Sequence, residues 1–199
     1  VRTAMRAFTP TLVSPGEKTR QAAVAIILRE APVDDAEQTE LLFIQRAERP
    51  GDPWSGQMAF PGGHREPDDE SLKAAAMRET QEEIGLSLDN AEYLGALSHE
   101  QARPRGTTLN MLIAPHVFIT ADRPNFTPNR EVAEVVWAPL STLVANSLHD
   151  TKTLDMAGEP TIFNGYRLSG GHFVWGLTYR MLKSFFSTVD ARWQPPKES

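Results

Sequence analysis

Three glutamates are grouped on one predicted helix in the middle of the chain. Glu79, Glu82 and Glu83 stand at positions i, i+3 and i+4, so a helix places their carboxylates on one face. Like charges at this spacing repel each other, by roughly a few tenths of a kcal/mol per pair. A hard divalent cation such as Mg²⁺ or Mn²⁺ would relieve that repulsion, because these ions prefer oxygen ligands. Taken alone, the three glutamates also fit an ordinary solvated acidic surface.

The residues around the three glutamates favour the metal site over the solvated surface. A glycine turn at Gly62 and Gly63 precedes the helix, Glu70 stands at its beginning, and Gly85 ends it as a C-terminal cap. Arg78 lies within the acidic group and can form paired contacts with a carboxylate. A tight glycine turn beside carboxylates lets a main-chain carbonyl approach a bound ion, which a side chain at that position could block.

This segment resembles the signature box of the Nudix hydrolases. The family pattern is a Gly, five variable residues, a Glu, seven variable residues, Arg-Glu, an apolar residue, one variable residue, Glu-Glu, one variable residue, Gly and an apolar residue. The positions that fall in register here are Glu70, Arg78, Glu79, Glu82, Glu83, Gly85 and Leu86. The chain departs from the pattern twice, since six residues separate Gly63 from Glu70 and Thr80 stands at the first apolar position.

Residues before the box resemble a second signature, that of the coenzyme A pyrophosphatase branch of the family. The matching residues are Leu41-Leu42, Arg46-Ala47, Gly56-Gln57 and the Phe-Pro-Gly-Gly run at 60–63. That signature has a further arginine near position 51, whereas here the stretch is one residue longer and carries Arg49 instead. The altered loop leaves ADP-ribose, NADH or another nucleoside diphosphate derivative open as the substrate.

The resemblance implies a metal-dependent hydrolase that cleaves the pyrophosphate bond of a small nucleoside diphosphate-linked molecule. It implies that Glu79 and Glu83 bind Mg²⁺ or Mn²⁺, and that Glu82 is a further ligand or the general base. Arg78 is expected to hold a neighbouring glutamate in place by a bidentate contact. Glu70 is expected to pair with Arg78 or to contact a metal through water.

Further roles follow from the same resemblance. The main chain at Gly63 is expected to join the metal shell, and the substrate is expected to contact Arg46, Arg49 and Gln57. The arginines at 103 and 105 could also meet substrate phosphates, but they flank a loop proline, and we interpret them as solvent-exposed. Two carboxylates outside the box are candidates for the general base, although each also fits an ordinary surface position: Glu100 and Glu131.

A non-catalytic nucleotide-sensing module of the same family is the alternative to an enzyme. Such a sensor has no need to retain every metal ligand. The complete set of Glu79, Glu82 and Glu83 therefore favours the hydrolase.

The elements that must position these residues are of mixed type. The hydrophobic patterns predict helices over 69–84, 139–146 and 175–189, and a hairpin within 149–171. They predict strands over 21–29, 40–46, 57–60, 92–100, 109–119 and 131–138. Pro115 suggests that its strand is an edge strand or carries a bulge. This order favours an α/β or α+β fold, and the resemblance implies an α/β/α sandwich with a mixed central sheet flanked by helices.

Length and composition describe a single domain of 199 residues with net charge −6. We interpret residues 1–19 as a loose N-terminal lead-in, 20–190 as the Nudix hydrolase domain and 191–199 as a frayed C-terminal tail. The lack of cysteine excludes thiolate metal sites and a catalytic thiol. The acidic charge argues against nucleic-acid and membrane partners. No signal-peptide core and no apolar run long enough to span a bilayer is evident, so we expect a cytoplasmic protein. A homodimer is an expectation from the resemblance alone.

Overall fold

The computed structural model describes residues 1–30, 39–52, 54–102, 110–120, 125–156 and 158–198. The arginines at 103 and 105 lie outside the described residues. The helices are α1 (Arg2–Ala7), α2 (Leu72–Ile84), α3 (Leu140–Val144) and α4 (Gly176–Val189). The strands are β1 (Arg20–Arg29), β2 (Glu40–Arg46), β3 (Met58–Ala59), β4 (Gly62–His64), β5 (Glu92–Ala96), β6 (Glu100–Ala102), β7 (Met111–Thr120), β8 (Val132–Pro139), β9 (His149–Met156), β10 (Glu159–Arg167) and β11 (Phe173–Trp175).

The large sheet is mixed and is built around β1 and β7, which pair in parallel over ten residues each. β1 pairs antiparallel with β2 at one end, where Leu28 faces Leu41, and with β4 at the other end, where Ala23 faces Gly63. β3 pairs with β2 through Ile44. The short β3–β4 segment therefore fills the space where β1 and β2 diverge, and this brings the glycine pair into the sheet.

The two faces of the sheet are covered by different helices. Ala23, Ala25 and Ile27 of β1 lie in the apolar cluster that contains the buried side of α2. Ile26 and Leu28 point the other way, into the larger cluster formed with α4 and with Tyr166 of β10. This alternation follows from the two-residue period of a strand. The predicted sandwich, with a mixed sheet flanked by helices, is confirmed.

Helix α2 has well-defined ends. Ser71 is its N-cap, and the Ser71 hydroxyl accepts a 3.1 Å hydrogen bond from the Ala74 N–H. Gly85 ends the helix at φ 73°, a left-handed conformation that glycine adopts without strain. The predicted end is therefore confirmed, but the helix begins at Leu72 rather than Asp69. Asp69 consequently lies in the loop before the helix, where its carboxylate is available for contacts with other residues.

Pro115 does not lie on an edge strand, but an irregularity of the kind given as the alternative is present, because the pairing of β5 with β7 shifts register between Tyr93 and Gly95. Every residue of β7 is buried, and the strand lies between β1 on one side and β5 with β6 on the other. The proline is accommodated because the neighbour on one side is interrupted between Ala96 and Glu100. The Pro115 carbonyl still accepts a 2.9 Å hydrogen bond from the Leu97 N–H, so the missing N–H of proline faces this interruption.

Both chain ends contact the core, although the sequence led us to expect a loose lead-in and a frayed tail. Met5 of α1 is buried within the larger apolar cluster. Trp193 packs edge-on against Phe186, with ring centroids 5.4 Å apart, and its indole N–H donates 2.9 Å to the Val144 carbonyl. Within the described residues, none of the helices combines the length and the apolar character needed to cross a lipid bilayer.

The contacts of Trp193 predict that the tail contributes to stability. We expect Trp193→Ala to lower the free energy of unfolding by about 3 kcal/mol, because it leaves a cavity and an unpaired carbonyl. Arg192→Ala is the matched control, because the Arg192 side chain is 94% exposed. Urea unfolding of both variants checks this, and equal midpoints for the two would contradict it.

Candidate active site

The carboxylates of Glu79 and Glu83 lie against the backbone of the glycine pair. The Gly62 N–H donates a 2.9 Å hydrogen bond to Oε2 of Glu83. A Cβ added at Gly63 would lie 2.5 Å from the carboxyl carbon of Glu79, and one at Gly62 would lie 2.2 Å from the Ala23 carbonyl oxygen. Both positions therefore require glycine, because any side chain would displace either the carboxylate or the neighbouring strand.

Burial makes both carboxylates unfavourable places for negative charge. Glu83 is only 4% exposed, and this burial raises its pKa to about 8. The Gly62 N–H and the charge of Arg46 oppose that rise, whereas the charges of Glu79 and Glu131 add to it. Burial also raises the pKa of Glu79, against the opposing charge of Arg78. A cation bound between these carboxylates would offset the cost of ionising them.

Arg78 connects the acidic residues of the site. Its Nε and Nη2 donate to the two oxygens of Asp69 at 3.1 and 3.0 Å, a bidentate pair. Its Nη1 donates to Glu79 and to Glu82, at 3.1 Å in each case. Nη2 also donates 2.9 Å to the His64 carbonyl at the end of β4. Arg78 thus fixes the Glu79 carboxylate relative to the glycine turn, as expected of a positioning residue.

Asp69 is the site residue that sequence reasoning missed. It is buried, it accepts a 2.8 Å hydrogen bond from the Glu66 N–H, and its pairing with Arg78 lowers its pKa. Glu70 is exposed, and the pairing with Arg78 that was expected of it is made by Asp69 instead.

The signal for Asp69 was present in the spacing of the box. Counting back from Arg78 places the first acidic residue of the pattern at Glu70. Counting forward from Gly63 over five residues places it at Asp69. The extra residue of this loop therefore lies between the acidic position and the helix, so the register should be counted from the glycine.

The donor set fits a hard divalent cation that keeps some of its own waters. Among the described residues, no three acidic or histidine side chains converge into a preformed metal cage. Glu82 is about half exposed and is paired with Arg78. Glu79 and Glu83 remain as two carboxylates beside a side-chain-free backbone. This arrangement matches Mg²⁺, which is commonly bound by one or two carboxylates, with waters and substrate phosphates completing its shell.

Two of the three predicted substrate residues lie near these carboxylates. Arg46 is close enough to oppose the pKa shift of Glu83, and its Nη2 is 2.8 Å from an Asp52 oxygen. The Arg46 Nε is buried, and among the described residues it has no hydrogen-bond partner. Arg49 pairs with Glu131 at 3.1 Å. The third residue, Gln57, lines a separate cavity.

The structure separates the two outside candidates for the general base. Glu131 is one of the charges that act on Glu83, so it lies beside the buried carboxylates. Glu100 is instead paired at 3.1 Å with Arg180 of α4, the helix that covers the opposite face of the sheet. Glu131 and Glu82 therefore remain as candidates for the base.

The profile of the NUDIX domain matches residues 18–156. This chain belongs to the Nudix family. The matched region contains the whole box, from Gly63 in β4 to Leu86 just after α2. The prediction of a Nudix pyrophosphohydrolase is confirmed at the level of the family.

Two of the curated relatives, both named as Nudix-type proteins, share about 30% of their aligned residues with this chain. The Nudix hydrolase NudL of Pectobacterium atrosepticum is 30% identical over 186 residues, which are 92% of this chain and 90% of the relative. The mitochondrial coenzyme A diphosphatase NUDT8 of Mus musculus is 31% identical over 163 residues, which are 81% of this chain and 75% of the relative. An uncharacterised protein of Schizosaccharomyces pombe is 33% identical over 148 residues, and this chain spans only 45% of its length.

Solved structures support the fold. A MutT/nudix family protein of Enterococcus faecalis matches with a TM-score of 0.57 at 21% identity, covering 89% of this chain and 65% of that one. An Ap4A hydrolase of C. elegans matches with a TM-score of 0.51 at 19% identity, covering 64% of this chain and 85% of that one. At these identities the likeness concerns the Nudix fold.

The assignment of Asp69 leads to a prediction about metal affinity. We expect Asp69→Asn to weaken Mn²⁺ binding about tenfold or more, because Arg78 then no longer holds Glu79 against the glycine turn. Glu70→Gln is the matched control and should leave the affinity unchanged. Isothermal titration with Mn²⁺ measures both. If Glu70→Gln weakened Mn²⁺ binding while Asp69→Asn bound it normally, Glu70 rather than Asp69 would support the metal site.

The raised pKa of Glu83 predicts how stability depends on pH. The folded value of about 8 exceeds the ordinary value of 4.5, so the folded chain binds this proton more tightly than the unfolded chain. The free energy of unfolding of the metal-free protein should therefore fall as the pH rises from about 5 to about 8. Glu83→Gln removes this loss and keeps an oxygen for the Gly62 N–H. Its melting temperature should therefore match the parent's near pH 5 and exceed it by several degrees near pH 8.

Thermal unfolding in the presence of EDTA checks this prediction. Glu159→Gln, which changes an exposed glutamate of β10, is the control and should follow the parent at both pH values. If the difference between Glu83→Gln and the parent did not change with pH, Glu83 would titrate like an ordinary carboxyl group.

Proposed function

We propose that this protein hydrolyses the pyrophosphate bond of coenzyme A or acyl-coenzyme A with the help of Mg²⁺ or Mn²⁺. The observation that carries the proposal is the placement of the Glu79 and Glu83 carboxylates against the backbone of Gly62 and Gly63. Burial, nearly complete for Glu83 and partial for Glu79, raises both pKa values, and a bound cation would offset the free-energy cost of ionising the two groups.

Hydrolysis of a pyrophosphate must overcome the repulsion between an anionic substrate and its nucleophile. A divalent ion, when bound, offsets the phosphate charge and lowers the pKa of a coordinated water. Glu79 and Glu83 would hold that ion, Arg78 orients Glu79, and Glu82 or Glu131 would accept the proton of the attacking water. The water oxygen adds to one phosphorus, the bridging P–O bond breaks, and two phosphomonoesters result.

The arginines near the site suit a substrate with several phosphate charges. Arg46 carries a buried Nε without a partner among the described residues, and a phosphate oxygen would satisfy it. Arg49 is about 39% exposed and can turn from Glu131 towards a substrate. Arg46 ends β2 and Arg49 lies in the loop that follows, so the two guanidinium groups are only three residues apart along the chain.

Coenzyme A is the preferred substrate for two reasons. The residues before the box resemble the signature of the coenzyme A branch, and the mouse relative is named a coenzyme A diphosphatase. The longer loop at 48–55 favours ADP-ribose, NADH or another nucleoside diphosphate derivative as the second candidate. The complete set of acidic residues argues against a sensing module. The cytoplasm remains the predicted location, although the mouse relative is named mitochondrial.

A metal-supplemented substrate screen tests the proposal. With Mg²⁺ or Mn²⁺, we expect coenzyme A to yield 3′,5′-ADP and 4′-phosphopantetheine, measured by chromatography of the products. Glu83→Gln should reduce kcat by at least about 100-fold, because a metal ligand is lost, whereas Glu159→Gln should not. Rapid turnover of ADP-ribose without turnover of coenzyme A would refute the assignment of coenzyme A as the substrate. Full activity of Glu83→Gln would refute the assignment of Glu83 to the active site.

A further inference from the structure

A second concave site lies on the other side of the strand that carries Arg46. Its volume is about 390 Å³, and it is bounded by the end of β2, the loop that follows it, the strands β9 and β11, and the turn just before β11. Met58, Phe173 and Trp175 supply apolar and aromatic walls. The carboxylates of the Nudix site do not line this cavity, so it is a separate part of the molecule.

The cavity differs in charge from the rest of this acidic chain. The described residues that line it include Lys152 and His172 and no aspartate or glutamate. Lys152 is exposed and forms no ion pair with a described residue, whereas His172 lies 3.3 Å from Glu134, a half-exposed residue that does not line the cavity. Gln45, Gln57 and the backbone of Gly170 and Gly171 add further polar groups. A cation beside an aromatic wall suits an anion attached to a flat or apolar body.

The cavity and the Nudix site share one wall. Gln45 and Arg46 are consecutive residues of β2, so their side chains leave the sheet on opposite faces. Gln45 lines the cavity, and Arg46 lies near Glu83 on the other face. The Arg46 N–H also donates 3.0 Å to the Gln57 carbonyl, which closes the loop between them. A group bound in the cavity would thus lie next to the loop that carries Arg46 and Arg49.

We propose that this cavity binds the 3′-phosphoadenosine end of the substrate, with the 3′-phosphate at Lys152 and the adenine against Trp175. The inference rests on the proposed function, which places a diphosphate beside Arg46. The adenosine and the pantetheine arm are both joined directly to that diphosphate, so each end of coenzyme A lies near this loop, and the lining of the cavity distinguishes between them. A phosphomonoester next to a flat base matches a cavity with one available ammonium group and an aromatic wall.

The proposal accounts for how one substrate would be chosen over others. ADP-ribose and NADH contain adenosine and a diphosphate, but they lack the 3′-phosphate of coenzyme A. Dephospho-coenzyme A differs from coenzyme A in that phosphate alone. Lys152 is therefore the residue that would distinguish coenzyme A from these molecules, acting on recognition and leaving the cleavage step to the carboxylates on the other face.

The test compares coenzyme A with dephospho-coenzyme A in four forms of the full chain. The parent and Lys152→Arg should prefer coenzyme A by about tenfold or more in kcat/KM, because a charged hydrogen bond to phosphate is then retained. Lys152→Met should lose that preference through a higher KM for coenzyme A, with dephospho-coenzyme A unaffected. Lys197→Met removes an exposed lysine of the tail and should behave as the parent. Calorimetry should show that 3′,5′-ADP binds the parent more tightly than 5′-AMP and that Lys152→Met abolishes the difference.

The outcomes separate this inference from the proposed function. If the parent hydrolyses both coenzymes equally, or if Lys152→Met still prefers coenzyme A over dephospho-coenzyme A, the cavity does not recognise the 3′-phosphate. The proposed hydrolysis of coenzyme A is unaffected by that result. If the parent hydrolyses neither coenzyme but cleaves another nucleoside diphosphate, the proposed substrate fails and this inference fails with it. Loss of preference in Lys152→Met alone supports the assignment.

Discussion

The contact between two carboxylates and a glycine backbone is the constraint on which the rest of the site depends. Glu79 and Glu83 project from α2 onto the short strand that contains Gly62 and Gly63, with no room for a side chain between them. Glu83 is buried and Glu79 is partly buried, so ionisation of both is opposed by desolvation, and a bound cation would compensate it. This arrangement is held in place by β4, by the defined ends of α2 and by the hydrogen bonds of Arg78.

The arrangement depends on several layers of the fold. The divergence of β1 and β2 makes the space that the glycine strand occupies, and the apolar face of α2 holds the helix against β1. Ser71 and Gly85 fix where the helix begins and ends, and hence which loop residue meets Arg78. A shift of one residue at the helix start would exchange Asp69 for Glu70 as the partner of Arg78. The spacing of the box therefore depends on the length of the loop as well as on the turns of the helix.

Much of the fold was predictable because the spacing of apolar residues along a strand or helix follows which of its faces is buried. The strands at 21–29, 40–46 and 131–138 and the helix at 175–189 were found close to their actual bounds. The central position of β7 was not predicted. A proline is tolerated there because the neighbouring strand is interrupted between β5 and β6, and the sequence does not show this interruption. The burial of Met5 and Trp193 was also missed, since single apolar residues in polar segments carry no periodic signal.

The sequence by itself determined the family, the helix of three glutamates and the need for glycine beside it, because these follow from residue types at fixed spacings. Only the tertiary structure decided that Asp69 pairs with Arg78, that Arg46 and Glu131 approach Glu83, and that Glu100 lies elsewhere. The cavity at Lys152 was likewise invisible beforehand, since it joins β2 to strands that begin a hundred residues later. Local spacing fixes what lies on one element, whereas contacts between distant elements depend on packing and are set only when the chain folds.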